Sequence, residues 1–321
     1  MRENLPMNIP TSKVMTAVAS LLAVCTPFSG RAGIQGSGFR SLAVVAPVNA
    51  SGAGTISVGG VSYSDPGATV EVDGHASSQA QVRVGDVVTA YGHAGNGDNP
   101  DVIERLILNH AVRATVESVD AANGTFSAAG QTIHVNAQTA LDPTLTLIGL
   151  SALIPGAKVQ VSGWADSTGD IIASRVDVLA LAAATEVSGQ VSSLDSARHR
   201  FKLNQLTVDF SRAGVEGVLQ EGSDVIVGGS TFDDTGTLVA RQVKLVRPLQ
   251  VSAGQTGRLD GIVTSLTSAT NFEIGGQPVQ VTSATKLNLQ GTVTLNARLR
   301  VDGVFDSSGV LIADKLQAGK K

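Results

Sequence analysis

A single cysteine, Cys25, stands in 321 residues, so no disulfide can form within the chain and no second thiol is present to complete a redox pair. Aromatics are equally scarce at 3%, with one Trp and two Tyr, which removes the rows of stacking rings that single-stranded nucleic acids require. Positive charge is not in excess either. The 23 Lys and Arg against 27 Asp and Glu leave a formal charge of −4, which is no electrostatic footprint for DNA or RNA. No apolar run reaches the roughly 18 to 20 residues of a membrane-spanning helix.

What is present near the start is Lys13 followed by the apolar run Val14 to Val24, 11 residues long. That is the length of a secretion signal, with Met7 as an alternative start. Two processing routes stay open. Gly30-Arg31-Ala32 places small residues for cleavage before Gly33, which makes 1–32 the signal peptide. Leu22-Ala23-Val24-Cys25 instead resembles a lipobox, which makes 1–24 the signal and Cys25 the acylated first residue, although Val24 is atypical there. Either route predicts an exported protein, in the periplasm, at the outer-membrane surface or outside the cell, tethered at most by lipid. Residues 33–50 are rich in Gly, Ser and Ala and read as a flexible linker, with the apolar patch Leu42-Ala-Val-Val-Ala46 as an alternative short first strand.

Beyond the linker one pattern is written four times. Gly85-Asp-Val-Val-Thr-Ala-Tyr-Gly92, Gly156-Ala-Lys-Val-Gln-Val-Ser-Gly163, Gly222-Ser-Asp-Val-Ile-Val-Gly-Gly229 and Asn296-Ala-Arg-Leu-Arg-Val-Asp-Gly303 each put alternating apolar residues between two turn residues. The closing glycines lie 71, 66 and 74 residues apart, one small module per interval. The modules fall at 51–110 (a divergent first copy), 111–182, 183–249 and 255–318. At this size a module buries only about 60% of its unfolded surface, so neighbours are expected to lean on one another.

Each copy reads as five short strands of period-two alternation. Asn123-Gly124, Gly275-Gly276, Thr168-Gly169, Thr235-Gly236 and Ser308-Gly309 mark the hairpin turns. Between the third and fourth strands, segments such as Leu147 to Ile154 or Gly214 to Leu219 suit a short helical turn or an irregular crossing. The fold class is therefore all-β: four tandem small five-stranded OB-like barrels arranged as beads behind a signal peptide. Closure into a barrel removes the exposed edges of an open sheet.

Gly54-Thr-Ile-Ser-Val-Gly-Gly-Val-Ser-Tyr63, Val82-Arg-Val-Gly-Asp-Val-Val88 and the recurring Val-x-Val-x-Gly followed by Asp-x-x-Gly-x-Ile/Leu-x-Ala resemble the bacterial domain of unknown function 5666 family over roughly residues 50–318. The resemblance implies an exported bacterial protein with tandem copies, often lipid-anchored, and it brings no catalytic residues. The matching positions are glycines and core apolar residues. Asn296 departs from the pattern, standing where the other copies have Gly.

Candidate sites are few. Asp166 to Asp170, Asp233 to Gly236 and Asp306 to Gly309 offer carboxylates around a Gly turn, but a tight hairpin demands the same residues. The loop Gly95 to Asp101 holds more oxygen ligands and is the better calcium candidate, again against a solvated hairpin loop. His75, His93, His110, His134 and His199 form no i, i+4 pair and no His-x-His unit, so no metal is expected. No Gly-x-Ser-x-Gly elbow occurs, and the chain reads as non-enzymatic with no cofactor. Trp164, just after a motif glycine, is either a lone glycan contact or a ring capping its own barrel. Phe126, Phe201 and Phe272 recur on one strand of successive copies, as core residues do. The functional expectation is an interaction or scaffolding role in the cell envelope, toward an envelope protein. A glycan- or polysaccharide-binding module is the alternative, and an auxiliary domain of a secreted hydrolase system is a weaker one.

Overall fold

The computed structural model describes residues 40–96, 99–180 and 184–319. Within them the chain is all-β, with 25 strands, one four-residue α-helix and two 3-10 turns. The processing sites, including Cys25 and the boundary at residue 32, lie outside the described residues.

The first stretch comprises β1 (Ser41–Gly52), β2 (Thr55–Val58), β3 (Val61–Ser64), the small hairpin β4 (Thr69–Val72) and β5 (His75–Ser77), then β6 (Val87–His93) and β7 (Val102–Leu108). β1 pairs antiparallel with β2 and β2 with β3. β3 touches β7 in parallel, β7 is antiparallel to β6, and β6 returns to β1, closing a circuit of five strands.

The second stretch repeats this with β8 (Val112–Asp120), β9 (Thr125–Ala128), β10 (Gln131–His134), β11 (Ala140–Leu141), β12 (Lys158–Ala165) and β13 (Ile171–Leu179). Its circuit β8–β9–β10–β13–β12–β8 is a five-stranded barrel whose only parallel contacts are those of β10 and β11 with β13. Such a contact requires a crossing, made by α1 (Pro143–Thr146) and the 3-10 turn 149–152. Asp142 caps α1 by accepting from the Thr144 amide, with Pro143 at the first helical position.

The third stretch holds β14 (Thr185–Gln190), β15 (Ser192–Asp195), β16 (Arg200–Leu203), β17 (Leu206–Asp209), β18 (Gly214–Glu216), β19 (Asp224–Phe232) and β20 (Leu238–Leu245). The fourth holds β21 (Thr256–Ser268), β22 (Asn271–Ile274), β23 (Gln277–Asn288), β24 (Arg298–Phe305) and β25 (Leu311–Ala318). Both repeat the same antiparallel order and the same parallel contact between their third and last long strands.

β1 begins at Ser41, inside the stretch 33–50 that composition marks as a linker. Leu42, Val44, Ala46 and Val48 alternate along it and are buried, so periodic apolar positions outweigh its small residues. Phe126, Phe201 and Phe272 are buried on β9, β16 and β22, and Ile56 holds the same position on β2.

The repeated motif has a geometric cause. Gly92, Gly163, Gly229 and Gly303 each sit where the ladder to the last strand shifts register by one residue. A Cβ there would collide with the backbone carbonyl of Val102, Ile172, Val239 or Ile312 respectively. At the opening position Gly85, Gly156 and Gly222 adopt φ of 96°, 92° and 79°, and Asn296 adopts 63°. Asn is one of the few side chains that tolerate this region. The amides of all four donate to the carbonyl of a valine, Val48, Val116 and Val263 on strands and Val191 between β14 and β15. The fourth copy therefore keeps the turn with a different residue.

Isolated beads are not what forms. β1 pairs in parallel with β21, and β8 pairs antiparallel with β14, so the circuits fuse into one sheet of 12 strands and one of 13. The physical reason lies in the edges: first strands left unpaired would each present open backbone groups. The second and third circuits share one continuous apolar cluster, running from Val112 to Val243.

Candidate functional site

The densest polar arrangement lies where the first three circuits meet. The β4–β5 turn presents Asp73 at φ 50°, and the short connection from β7 to β8 brings His110 onto it. Asp73 Oδ1 accepts from the His110 amide at 2.8 Å, and His110 Nδ1 lies 2.8 Å from Asp73 Oδ2. Arg113 on β8 then donates to Asp73 Oδ2 at 2.7 Å, to Glu186 of β14 at 2.5 Å, and to Gln160 of β12 at 2.9 Å. One guanidinium thus ties together side chains from three circuits in the fork geometry that Lys cannot supply.

Burial would raise the Asp73 carboxyl, but the hydrogen bonds and charge of His110 and the charge of Arg113 outweigh it and hold the group below its ordinary value. Burial pushes Glu186 up against the opposing pull of Arg113. Asp86, buried nearby with one carboxylate oxygen lacking a protein partner, is likewise raised by burial. Around this hub Arg83 reaches Asp177 at 3.2 Å, Arg175 donates to the Val84 carbonyl at 2.8 Å, and the Val87 amide donates to Ser162 Oγ at 2.8 Å. Most of these contacts join one circuit to another.

Trp164 belongs to a second joint. It is 8% exposed, with the Arg298 guanidinium 4.5 Å from its ring centroid. Arg298 and Arg300 are both pinned by the buried Asp260, at 2.9 and 2.8 Å. Gly261 leaves the space the indole edge occupies, since a Cβ there would stand 3.3 Å from Trp164 Cδ1. In the same joint Asn296 Oδ1 accepts from the Ser167 amide at 2.9 Å. So Trp164 offers no open face to a sugar, and it packs against the fourth circuit instead of capping its own barrel.

The acidic turns use their carboxylates locally. Asp166, Asp233 and Asp306 each accept amide hydrogen bonds from within their own turns, through Oδ1. Among the described residues no group of three metal-ligating side chains is present. The loop Gly95 to Asp101 is described only in part; there Asp101 accepts from the Gly95 amide at 2.9 Å. The histidines are scattered. His110 is buried in the hub, His134 meets Asp170 at 3.2 Å, His93 meets Glu104 at 3.3 Å, His199 stacks edge-on against Phe210, and His75 is exposed on β5.

A cleft of about 480 Å³ opens between the second and third circuits. Ala114, Ala129 and Leu206 form its apolar part, Thr115, Glu117 and Gln205 its polar part, and Phe232 stands at its side. Phe232 is 45% exposed, whereas Phe305, at the equivalent register position of the fourth circuit, is 1% exposed. The difference accompanies a second register shift in β19, where Ser230 is an extra residue. The residue count was the available signal: two residues separate Gly229 from Phe232 and one separates Gly303 from Phe305. Of the residues described above, the hub set Asp73, Arg113 and Glu186 carried no sequence signal, because its members are scattered singly along the chain.

Residues 113–177 and 260–317 match the family described as Domain of unknown function (DUF5666). These two segments cover the second and fourth circuits almost end to end. No match was found among curated proteins. Among solved structures, drosophila Unr CSD456 is similar at 13% sequence identity with a TM-score of 0.17, over 66% of this chain and 97% of that one. A superposition that loose carries no argument.

Proposed function

We propose that this chain, two segments of which match the DUF5666 family, is an exported, non-enzymatic interaction or scaffolding element, built of four tandem OB-like modules behind a signal peptide. The observation that supports the reading most is the crossing segment of the second circuit. Leu145, Leu150 and Leu153 turn inward and seal the barrel end, while Leu147, Ile148 and Ile154 stand 94%, 68% and 65% exposed. Exposed aliphatics gathered on one short segment suit a contact surface for another protein. The fused sheets and the ionic hub hold that surface on a rigid body.

The test is affinity recovery from the envelope fraction with the wild-type chain and with Leu147→Asp/Ile148→Asp. The reading expects a defined protein partner with the wild type, its loss with the double variant, and an unchanged melting temperature. Recovery of the same proteins by both forms would refute it. Export is checked by the mass of the mature chain, which begins at Gly33 after ordinary cleavage or at an acylated Cys25 after lipoprotein processing.

A second reading, a glycan-binding module, is favoured by the cleft beside Phe232, which lies on the hairpin that follows a motif glycine.

A further inference from the structure

We propose that the cleft between the second and third circuits binds a neutral glycan, with Phe232 as the surface on which a pyranose ring stacks. The inference rests on the glycan-binding reading above and is independent of the scaffolding one.

Three features carry it. The first is the aromatic ring itself. Its counterpart in the fourth circuit is buried in the core, but the extra residue Ser230 accompanies a ring that is nearly half exposed beside the cleft. Bulges that re-aim a side chain gather at binding sites. The second is rigidity. Asp233 Oδ1 accepts from the amides of Thr235 and Thr237 at 2.9 Å each and from Thr235 Oγ1 at 2.7 Å, so the hairpin carrying Phe232 is fixed before any ligand arrives. A preorganised platform loses little entropy on binding.

The third is the chemistry of the walls. An apolar floor beside an aromatic ring suits the C–H face of a sugar, and the hydroxyl of Thr115, the amide of Gln205 and the carboxylate of Glu117 can exchange hydrogen bonds with its hydroxyl groups. No Lys or Arg lines the cleft, and Glu117 repels anions, so nucleic acid and uronate polymers are poor fits. The volume lies within the range of small-ligand sites.

The experiment titrates the full chain with cellohexaose, maltohexaose and chitohexaose to about 10 mM by calorimetry, the range where weak sites are still measurable. Oligogalacturonate and a dT12 oligonucleotide serve as anionic probes. The site predicts saturable binding of at least one neutral sugar, a loss of about tenfold or more in Phe232→Ala, and retention in Phe232→Trp. Glu117→Gln provides a second variant that does not touch the hairpin, and it should weaken the same sugar. Neutral-sugar binding unaltered by Phe232→Ala and Glu117→Gln would overturn the site and leave the glycan reading standing. No binding by any of the three sugars would overturn both. Preference for either anionic probe would overturn the ligand chemistry.

Discussion

Replacing Arg113 by Met keeps the length of the stem and removes the fork that joins three circuits. Asp73, 5% exposed at its side chain, would keep only His110, and Glu186, 21% exposed, would lose its one cationic partner in the hub. Removing one member of a buried ion pair typically costs about 3–5 kcal/mol, and the partial exposure of Arg113 places this variant near the lower end, at about 3 kcal/mol. At about 2.1 cal/mol/K of unfolding entropy per residue, that corresponds to a fall in melting temperature of about 4–5 °C for a chain of this size.

The pH dependence separates lost charge pairing from lost packing. Asp73 has a folded value below its ordinary 3.8, so its stabilisation is present above that value and is lost as the pH falls through the folded one. Glu186 is raised above 4.5, so its ionisation opposes folding, and that opposition vanishes on acidification below 4.5. Without Arg113 both carboxyls move upward, and the penalty is greatest where both are forced to ionise. Urea unfolding at pH 7 should therefore show the full loss. At pH 4, below the ordinary value of the raised Glu186 carboxyl, the gap between wild type and variant should narrow. Adding Glu186→Gln to the variant should recover part of the loss at pH 7 by removing the stranded charge. A loss equal at both pH values, or below about 1 kcal/mol at pH 7, would refute the assignment of the hub as an ionic joint.

Five further substitutions, at Gly303, Gly189, Asn296 and Trp164, probe the repeat and its joints, with urea unfolding as the readout. Gly303→Ala drives a methyl group into the Ile312 carbonyl and should cost on the order of 2–4 kcal/mol, whereas Gly189→Ala, whose Cβ would meet nothing nearer than 3.7 Å, should stay within about 1 kcal/mol of wild type. Asn296→Ala loses the bond to Ser167 and places Ala at φ 63°, for about 1–3 kcal/mol. Asn296→Gly relieves the backbone and should lose the smaller part, so equal losses in the two variants would contradict the positive-φ argument. Trp164→Ala empties the joint against Gly261 and Arg298 and should cost about 3–5 kcal/mol while leaving sugar titrations unchanged. A stable Trp164→Ala with altered sugar binding would reverse the roles assigned here to Trp164 and Phe232.

These positions also explain which parts of the molecule could be read from the sequence. A repeat reports what its copies share: the closing glycines and the valines beneath the opening turn in all four, the opening glycine in the first three, and the phenylalanine of the second strand in the last three. All of these serve the interior of a single circuit, so the strands and their closure were legible from period-two alternation and spacing. The joints obey the opposite logic. A contact between two different circuits needs a residue in one copy that the others lack, so Trp164, Asn296, Asp73, Arg113 and Glu186 each break the repeat, and alternation sees them only as polar or odd positions. Trp164 reads as either a glycan contact or a cap on its own barrel, because a ring after a turn is all that one circuit reveals. Its cover comes from Gly261 and Arg298, some 100 residues further along the chain. The same logic sets Phe232 apart. It too breaks the repeat, through the inserted Ser230, yet no neighbouring circuit covers its ring. Departures from the repeat that are buried build the block, and Phe232, an aromatic departure left half open beside a cleft, is where a ligand should be sought.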